Sequence, residues 1–324
     1  MPLRNGIVKF SQWLASELGI ETMKMAGKDV YIIIVARYLR LFAYGTVALI
    51  LALYFEELDF SDAQIGLFMT LTLLGDVIVS LLLTSVADSL GRRRTLFLGS
   101  ISMAISGAVF ALTSNYVALL TAAIIGVISP TGNEIGPFRA IEESTLAHLV
   151  PEAQRSDVFT WYVVLAVLGT SSGLLAGGQI VDGLQALDGW TELDAYRAIF
   201  WTYTGVGCVK AIMILFLSRA CDHGHEKRSQ EEQHRVAENE PLLGGNDAQS
   251  ALGEADSVPK ESTRWNPISR LSQETRWILL KLCSIFFLDS LGSGMVPFSL
   301  INLYLERKFQ LGKGKLGGIM SATW

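Results

Sequence analysis

The hydrophobic residues of this chain are gathered into long blocks, and short polar or charged segments separate them. A helix needs about 20 apolar residues to cross the roughly 30 Å hydrocarbon core of a bilayer, because each residue advances it by about 1.5 Å. The pattern therefore predicts an all-α membrane protein, with an eighth block that begins near Leu316. We predict seven complete membrane spans, at residues 31–54, 63–87, 95–112, 116–146, 158–180, 198–217 and 277–305.

The distribution of lysine and arginine predicts which ends of the spans face the cytoplasm. If the N-terminus is cytoplasmic, the connecting segments on its side carry sixteen basic residues and those on the other side carry five. Cytoplasmic segments of membrane proteins are enriched in basic residues, so this count predicts a cytoplasmic N-terminus. Four of the five exceptions precede the eighth block: Arg307, Lys308, Lys313 and Lys315.

Composition narrows the class of protein further. Hydrophobic residues make up 50% of the chain and charged residues 18%. A soluble domain would spread its apolar residues at helix or strand period rather than in blocks. The three cysteines (Cys208, Cys221 and Cys283) lack metal-ligand spacing, so we expect no zinc site and no cofactor. No nucleophile–base pair is evident, and we predict that the protein is not an enzyme.

A polar segment between the sixth and seventh spans divides the chain. Residues 218–275 are rich in charged residues and have no apolar periodicity, which is typical of a mostly disordered linker. We therefore predict a cytoplasmic tail at 1–30, a six-span half at 31–217, this linker, and the start of a second half at 276–324.

An internal repeat supports the division into two halves. Residues 54–56 (Tyr-Phe-Glu) and 65–69 are echoed about 250 positions later by residues 304–306 (Tyr-Leu-Glu) and 316–320. Repeated halves are common in secondary transporters, which bind substrate between them. Because the second half stops inside its second span, we expect the chain to be truncated.

The turn between the second and third spans carries a motif. It reads Ala-Asp-Ser-Leu-Gly-Arg-Arg, and Asp88, Gly91, Arg92 and Arg93 occupy its key positions. The motif resembles the loop signature G-x-L-A-D-x-x-G-R-R/K of the major facilitator superfamily, with Thr84 in place of the first glycine. The resemblance implies a fungal-type facilitator bundle of two six-span halves. This chain would hold the first half, the seventh span and part of the eighth.

Polar residues inside the spans mark a candidate binding site. Asp76 lies near the middle of the second span, where a charged side chain costs about 2.5–3.5 kcal/mol and should face a cavity or a partner. In the fourth span, two prolines and two glycines should unwind the helix beside Asn133 and Glu134. With Arg139 and Asp289, these residues are the predicted substrate-binding and proton-coupling residues.

Structural explanations exist for some of these residues. A neighbouring helix could hold Asp76, while hydroxyl residues such as Thr72 bond to carbonyl groups of their own helix. Arg139 could pair with Glu143 one turn further along. Lys210 in the sixth span is expected to reach the cytoplasmic surface through its flexible side chain.

The resemblance also implies a group of charges that closes the cytoplasmic side. Asp88 and Arg92 or Arg93 would form a latch with Glu142 or Glu143, made in one conformation and broken in the other. The alternative is a set of solvated charges at the headgroup level that contribute little each.

The fifth span carries glycines at short intervals. Gly169, Gly173, Gly177 and Gly178 match the glycines of the antiporter signature G-x-x-x-G-P-x-x-G-G, with Leu174 in place of its proline. Small residues at this spacing let two helices approach closely whatever the direction of transport, so we predict that these glycines pack helices.

These observations favour a secondary transporter that moves a small solute by alternating access, coupled to protons. The expected partners are the lipid bilayer, a small-molecule substrate and protons, without nucleic acid. The alternative is a non-transporting sensor or receptor on the same scaffold, although a seven-span receptor would place its N-terminus outside. We expect a plasma-membrane protein rather than a vacuolar or endosomal one, although residues 238–243 match an acidic dileucine sorting signal.

Overall fold

The computed structural model describes residues 19–126, 128, 137–218, 221 and 273–323. The regular elements in these ranges are all helices, which confirms the predicted all-α class. A short 3-10 turn, Glu152–Gln154, precedes the α-helix that begins at Arg155. The α-helices are α1 (Ile20–Met25), α2 (Lys28–Glu57), α3 (Asp62–Leu90), α4 (Arg92–Leu112), α5 (Tyr116–Gly126), α6 (Pro137–Leu149), α7 (Arg155–Gln185), α8 (Glu192–Leu215), α9 (Gln273–Met295), α10 (Phe298–Phe309) and α11 (Lys313–Thr323).

Among the described residues, five helices are long and apolar enough to cross a membrane: α2, α3, α4, α7 and α8. They contain the predicted first, second, third, fifth and sixth spans. In α3, Phe68 and Met69 are buried, whereas Leu74, Ile78 and Leu81 are exposed. A helix with apolar side chains on both its packed and its exposed face is typical of a membrane span, whose outer face contacts lipid.

The seventh span is not a single helix, and the fourth is described as two helices, with residues 127 and 129–136 outside the described part. Described helix stops at Gly126 and resumes at Pro137 in the fourth span. In the seventh, α9 ends at Met295 and α10 begins after Pro297, so the prediction of one helix over 277–305 is wrong there. Proline lacks a backbone N–H and disfavours helical geometry in the residue before it, which accounts for the break.

The structure divides into two compact units. One combines the chain up to Gly224 with Val296–Trp324, and the other spans His225–Met295, where α9 is the described helix. The first unit is centred on α2, most of whose second half is buried. Its largest core includes a group of aromatic rings with centroids 4.4–6.4 Å apart, contributed by Tyr54, Phe55, Phe68, Phe110 and Phe200.

Helices α2 and α10 end in the same way. Asp59 follows α2 with φ 58° and Gln310 follows α10 with φ 50°. Left-handed backbone of this kind commonly closes the C-terminal end of a helix. The next helix begins shortly afterwards in both places, at Asp62 and at Lys313. The repeated segments of the sequence therefore lie in two hairpins of the same form.

Helix α7 packs closely against α2 through its glycines. A Cβ atom on Gly173 would lie 2.1 Å from the carbonyl oxygen of Phe42, and one on Gly169 would lie 2.7 Å from that of Tyr38. Gly177 meets α2 at Thr46, where a Cβ would lie 3.0 Å from the backbone. Glycine permits this approach because it has no side chain.

The last glycine of the group faces another helix. A Cβ on Gly178 would lie 2.3 Å from the carbonyl oxygen of Lys313 at the start of α11. On α11, a Cβ on Gly317 would lie 2.5 Å from the carbonyl oxygen of Leu174. Helix α7 thus packs by small residues against α2 on one side and α11 on the other, which is the geometry expected of packing glycines.

Candidate functional site

The helix bundle has two ends, defined here by α2: the near end, where α2 begins, and the far end, where it stops. At the near end, the backbone N–H of Ser218 donates to the Asp29 carboxylate at 3.0 Å. At the far end, the Tyr54 hydroxyl donates to the carbonyl oxygen of Phe110 at 2.8 Å. The C-terminal end of α8 thus lies beside the N-terminal end of α2, and the C-terminal ends of α4 and α2 lie together. This is the arrangement that alternating membrane spans require.

A group of charged residues is buried inside the bundle, in its near half. We term it the buried charge cluster, and it consists of Arg37 and Arg40 on α2, Glu142 on α6, Tyr162 on α7 and Lys210 on α8. Three of its charged side chains, Arg37, Glu142 and Lys210, are each no more than 5% exposed, and Arg40 is 12% exposed. Four separate helices therefore meet at one set of charges.

Glu142 is the centre of the buried charge cluster. Its Oε2 accepts hydrogen bonds from Arg40 Nη2 at 2.8 Å and from the Tyr162 hydroxyl at 3.1 Å. Arg37 Nη1 lies 3.5 Å from the same oxygen, and Lys210 Nζ lies 3.7 Å from Oε1. Because charge-assisted hydrogen bonds are stronger than neutral ones, this carboxylate joins α2, α7 and α8 to α6.

Arg37 and Tyr162 form a second set of contacts. Arg37 Nη1 donates to the Tyr162 hydroxyl, and its guanidinium carbon lies 4.0 Å from the centre of the tyrosine ring. Stacking of this kind adds a cation–π attraction to the hydrogen bond. A cavity of about 10 Å³ beside Glu142 and Lys210 is large enough for about one water molecule.

The sequence analysis missed the two arginines of this cluster. Arg37 and Arg40 lie three residues apart inside the first apolar block, so they share one face of the helix. Charged residues inside a span are rare and mark functional or structural sites, and that signal was available. Lys210 was predicted to reach the surface, but it is buried because Glu142 holds it inside the bundle.

The two glutamates of the predicted cytoplasmic latch pair with residues outside it in the described structure. Glu142 pairs within the buried charge cluster rather than with Arg92 or Arg93. Glu143 pairs with Arg139 one turn earlier at 2.7 Å, the local alternative considered for that arginine. Glu142 points into the bundle from the buried face of α6, whereas Glu143 is on its partly exposed face.

Other members of the predicted latch lie at the near-end turn. Arg93 donates to the carbonyl oxygen of Leu215 at the end of α8. Gly91 precedes α4 with φ 89°, a conformation that favours glycine and that explains the glycine of the motif. The side chain of Asp88 lies outside the described part of the structure.

Asp76 is buried where α3 packs against α5. It is 3% exposed, and neither carboxylate oxygen has a hydrogen-bond partner among the described residues. A Cβ on the adjacent Gly75 would lie 2.6 Å from the side chain of Ile124, so the two helices are in close contact here. Thr72 donates to the carbonyl oxygen of Phe68 at 2.8 Å, the self-contained arrangement considered for the hydroxyl residues of this helix.

The remaining candidate residues are placed only in part. Asn133 and Glu134 lie outside the described residues, and so does the side chain of Asp289, which belongs to the second unit. Arg139 is half exposed and forms an ion pair with Glu143. Of the five predicted residues, the structure describes the side chains of Asp76 and Arg139 only. Asp76 is buried, and Arg139 is not.

At the far end, two basic residues of the second half contact acidic residues of the first. We term these contacts the far-end ion pairs. Arg307 Nε lies 2.8 Å from Glu56, and its Nη2 lies 2.9 Å from Asp62. Lys313 Nζ lies 3.0 Å from Glu192 and 2.9 Å from Glu306 on its own hairpin.

The far-end ion pairs engage two of the four basic residues that depart from the topology rule. Arg307 and Lys313 are balanced by acidic residues at the far end. Lys308 donates to the Tyr304 hydroxyl at 2.7 Å. The pKa of Lys313 lies above that of a free lysine: burial opposes its charge, but hydrogen bonds to Glu306 and Glu192 outweigh that effect.

Buried polar contacts support the same seam between the halves. Asn302 Nδ2 donates to the carbonyl oxygen of Ala48 at 3.0 Å, and Ser299 donates to the same oxygen at 3.0 Å. The backbone N–H of Gly314 donates to Asp182 at 2.8 Å. Helices α10 and α11 are therefore fastened to α2 and α7 at the far end.

Comparison with known proteins places the chain in context. The family model of the Major Facilitator Superfamily matches residues 33–324. An uncharacterized membrane protein of Saccharomyces cerevisiae is 35% identical over 316 residues, which are 96% of this chain and 67% of that protein. An uncharacterized MFS-type transporter of Bacillus subtilis is 29% identical over 210 residues, which are 62% of this chain and 48% of that protein.

A solved structure has the same fold. It is the crystal structure of a bacterial homolog of the human lysosomal transporter Spinster, in an inward-facing and unoccupied conformation. The TM-score is 0.60 at 15% identity, and the match covers 91% of this chain and 58% of that protein. This chain thus spans about half to two thirds of the proteins it matches. Since the family model covers nearly all of it, the chain belongs to the Major Facilitator Superfamily.

Proposed function

We propose that the protein is a secondary active transporter that moves a small solute by alternating access and couples this movement to protons through Asp76. Family membership supports the transport class and the prediction that the protein is not an enzyme. The substrate path in this architecture lies between the two halves. The seam formed by α10 and α11 against α2 and α7 closes one end of that path.

The environment of Asp76 is the observation that supports proton coupling. Its carboxylate is buried within a membrane span, and no cation lies within ion-pair distance of it among the described residues. Such a group can take up and release a proton without breaking an ion pair, and intramembrane carboxylates of this kind form proton relays in transporters. Glu142, by contrast, is committed to Arg40, Arg37 and Lys210.

We further propose that the near end is cytoplasmic. The basic residues of the turn after α3 lie at this end, as does the end of α8 from which the polar linker follows. The connecting segments at the near end carry sixteen basic residues and those at the far end carry five, and this excess favours the assignment. On this orientation the far-end seam faces away from the cytoplasm, in a plasma membrane.

The test is an infrared pH titration of the purified chain in lipid. Asp76→Asn should remove the carbonyl stretch of one protonated carboxylic acid, because the amide cannot take up a proton. Asp188→Asn, in the exposed α7–α8 loop, should leave that band unchanged. In proteoliposomes that hold the complete transporter, Asp76→Asn should abolish proton-driven accumulation while solute exchange continues. If the band and the accumulation both persist, the coupling residue is another one, with Glu134 the first to examine.

A further inference from the structure

A cavity opens on the flank of the bundle at the far end, away from the seam between the halves. Its volume is about 360 Å³. It lies between the end of α4 and the start of α8, beneath the loop that joins α7 to α8. Its principal lining residues are Trp190, Asp194, Arg197 and Trp201. Neither the transport path nor the proposed proton coupling involves these residues.

The guanidinium of Arg197 on the cavity wall is incompletely satisfied. It donates from Nη2 to Ser114 Oγ at 3.1 Å and also interacts with the Tyr54 hydroxyl, while its buried Nε has no hydrogen-bond partner in the described part of the chain. An arginine carries five N–H donors in a planar fork that matches a phosphate. The cavity is therefore lined by a cation whose five donors are only partly paired.

A carboxylate lies one turn before that cation. Asp194 is exposed and is oriented by Thr191, whose hydroxyl donates to Oδ2 at 2.6 Å and accepts from the Asp194 backbone N–H at 3.2 Å. Asp194 and Arg197 both line the cavity and attract each other electrostatically, but among the described residues they form no ion pair at contact distance. Opposite charges are therefore held side by side and remain available to a ligand that carries both.

Two tryptophans flank the charged pair at the membrane boundary. Trp190 is 42% exposed and Trp201 is 49% exposed. Tryptophan is enriched where membrane spans emerge from the hydrocarbon core, and its ring attracts cations such as quaternary ammonium groups. From this level an exposed apolar surface continues along both helices towards the membrane centre: Ile105 and Leu112 on α4, and Val209 and Ile212 on α8.

We propose that this cavity binds the headgroup of a zwitterionic membrane phospholipid. The phosphate would lie against Arg197, and the ammonium would lie against Asp194 and the faces of Trp190 and Trp201. The acyl chains would follow the exposed apolar surface of α4 and α8. A soluble phosphocholine-like compound shares the headgroup chemistry, but only a lipid also uses the apolar surface beside the cavity. The site does not depend on which side of the membrane the far end faces.

The experiment measures lipid binding to the delipidated chain in detergent, by native mass spectrometry and by the rise in unfolding temperature. Phosphatidylcholine should be retained and should raise the unfolding temperature saturably. Phosphatidylglycerol, which lacks the ammonium, should bind at least threefold more weakly, and diacylglycerol, which lacks the headgroup, should have no saturable effect. Free phosphocholine should have no effect at the same concentration. An equal effect of phosphocholine would assign the site to a soluble ligand and overturn the proposal.

Variants localise the binding. Arg197→Gln should lose the retained phosphatidylcholine, and Asp194→Asn should abolish the preference for phosphatidylcholine over phosphatidylglycerol. Because Arg197 also bonds to Ser114, Trp201→Leu provides a second test that leaves that bond in place, and it should weaken phosphatidylcholine binding severalfold. Lys315→Gln removes an exposed positive charge at the same end and should change nothing. Unchanged lipid retention in Arg197→Gln and Trp201→Leu would overturn the proposal.

Discussion

The buried charge cluster and the far-end ion pairs are built from the same kinds of side chain but differ in environment. Glu142 and its partners Arg37 and Lys210 are almost completely buried. Arg307 is 41% exposed and its partner Asp62 is 74% exposed. The first group joins helices within one half, and the second joins the two halves. The comparison teaches that burial, rather than the number of charges, decides what each group can do.

The physical reason lies in solvation. Exposed ion pairs are screened by water and salt and contribute little to stability, so they can break and re-form as the halves move. A buried pair loses its hydration when it forms, and removing one partner leaves the other charge without compensation. We therefore assign the buried charge cluster to holding the first half rigid, and the far-end ion pairs to a seam that can open.

The largest effect should come from the centre of the buried charge cluster. Glu142→Gln removes the carboxylate that Arg40, Arg37 and Lys210 face, and it should lower the free energy of unfolding by about 3–5 kcal/mol. The adjacent Glu143→Gln is the matched control. It breaks a half-exposed pair with Arg139 and should cost no more than about 1 kcal/mol. Thermal unfolding in detergent measures both variants, and equal losses would show that burial does not separate them.

Glycine substitutions on α7 should separate packing within the half from packing between the halves. Gly173→Ala places a methyl group 2.1 Å from the backbone of α2 and should destabilise the first half by about 1–3 kcal/mol. Gly178→Ala meets α11 instead and should loosen the seam. Gly183→Ala has nothing within 4 Å and should not destabilise the protein.

The readout for the glycine variants has two parts. Thermal unfolding reports on the first half, and maleimide labelling of Met320→Cys, with the native cysteines replaced, reports on the seam, since Met320 is buried in α11. Faster labelling is expected for Gly178→Ala only. If Gly173→Ala opens the seam as much as Gly178→Ala does, the two interfaces are not independent.

The smallest effects on stability should come from the far-end ion pairs. Lys313→Gln should accelerate Met320→Cys labelling more than Arg307→Gln, because Lys313 is 10% exposed and Arg307 is 41% exposed. High salt should accelerate labelling of the unsubstituted seam and leave thermal stability nearly unchanged. The pKa of Lys313 is raised, so its contribution should hold through neutral pH and be lost only as the pH rises above that value. If neither salt nor Lys313→Gln changes the labelling rate, the ion pairs do not hold the seam, and the glycine and asparagine contacts are sufficient to hold it.

Much of the fold could be predicted from sequence because membrane spans obey a simple length rule. Blocks of apolar residues located the helices, and the motif around Asp88 and Arg92 placed the chain in its family before any contact was known. Asp76 could be identified as a buried carboxylate because it is isolated in an apolar block. The spacing of the α7 glycines likewise indicated close helix packing.

Which charges meet could not be predicted in the same way. Glu142 and Glu143 are neighbours in sequence, yet one faces the buried charge cluster and the other pairs with Arg139, because adjacent residues of a helix point about 100° apart. Arg37, Tyr162 and Lys210 are far apart in the chain and meet only when four helices pack. The far-end basic residues violated the topology rule in sequence, and only the fold revealed the acids beside them.

The sequence by itself thus determined the class of protein, the position of its spans and the family, since these follow from hydrophobicity along one dimension. The tertiary structure alone decided which partner each charge has, which residues are buried, where the seventh span breaks, and that α10 and α11 pack against α2 and α7. Those properties depend on distances between helices, and a helix of given sequence can present the same side chain to water, lipid or a counter-charge according to what packs against it.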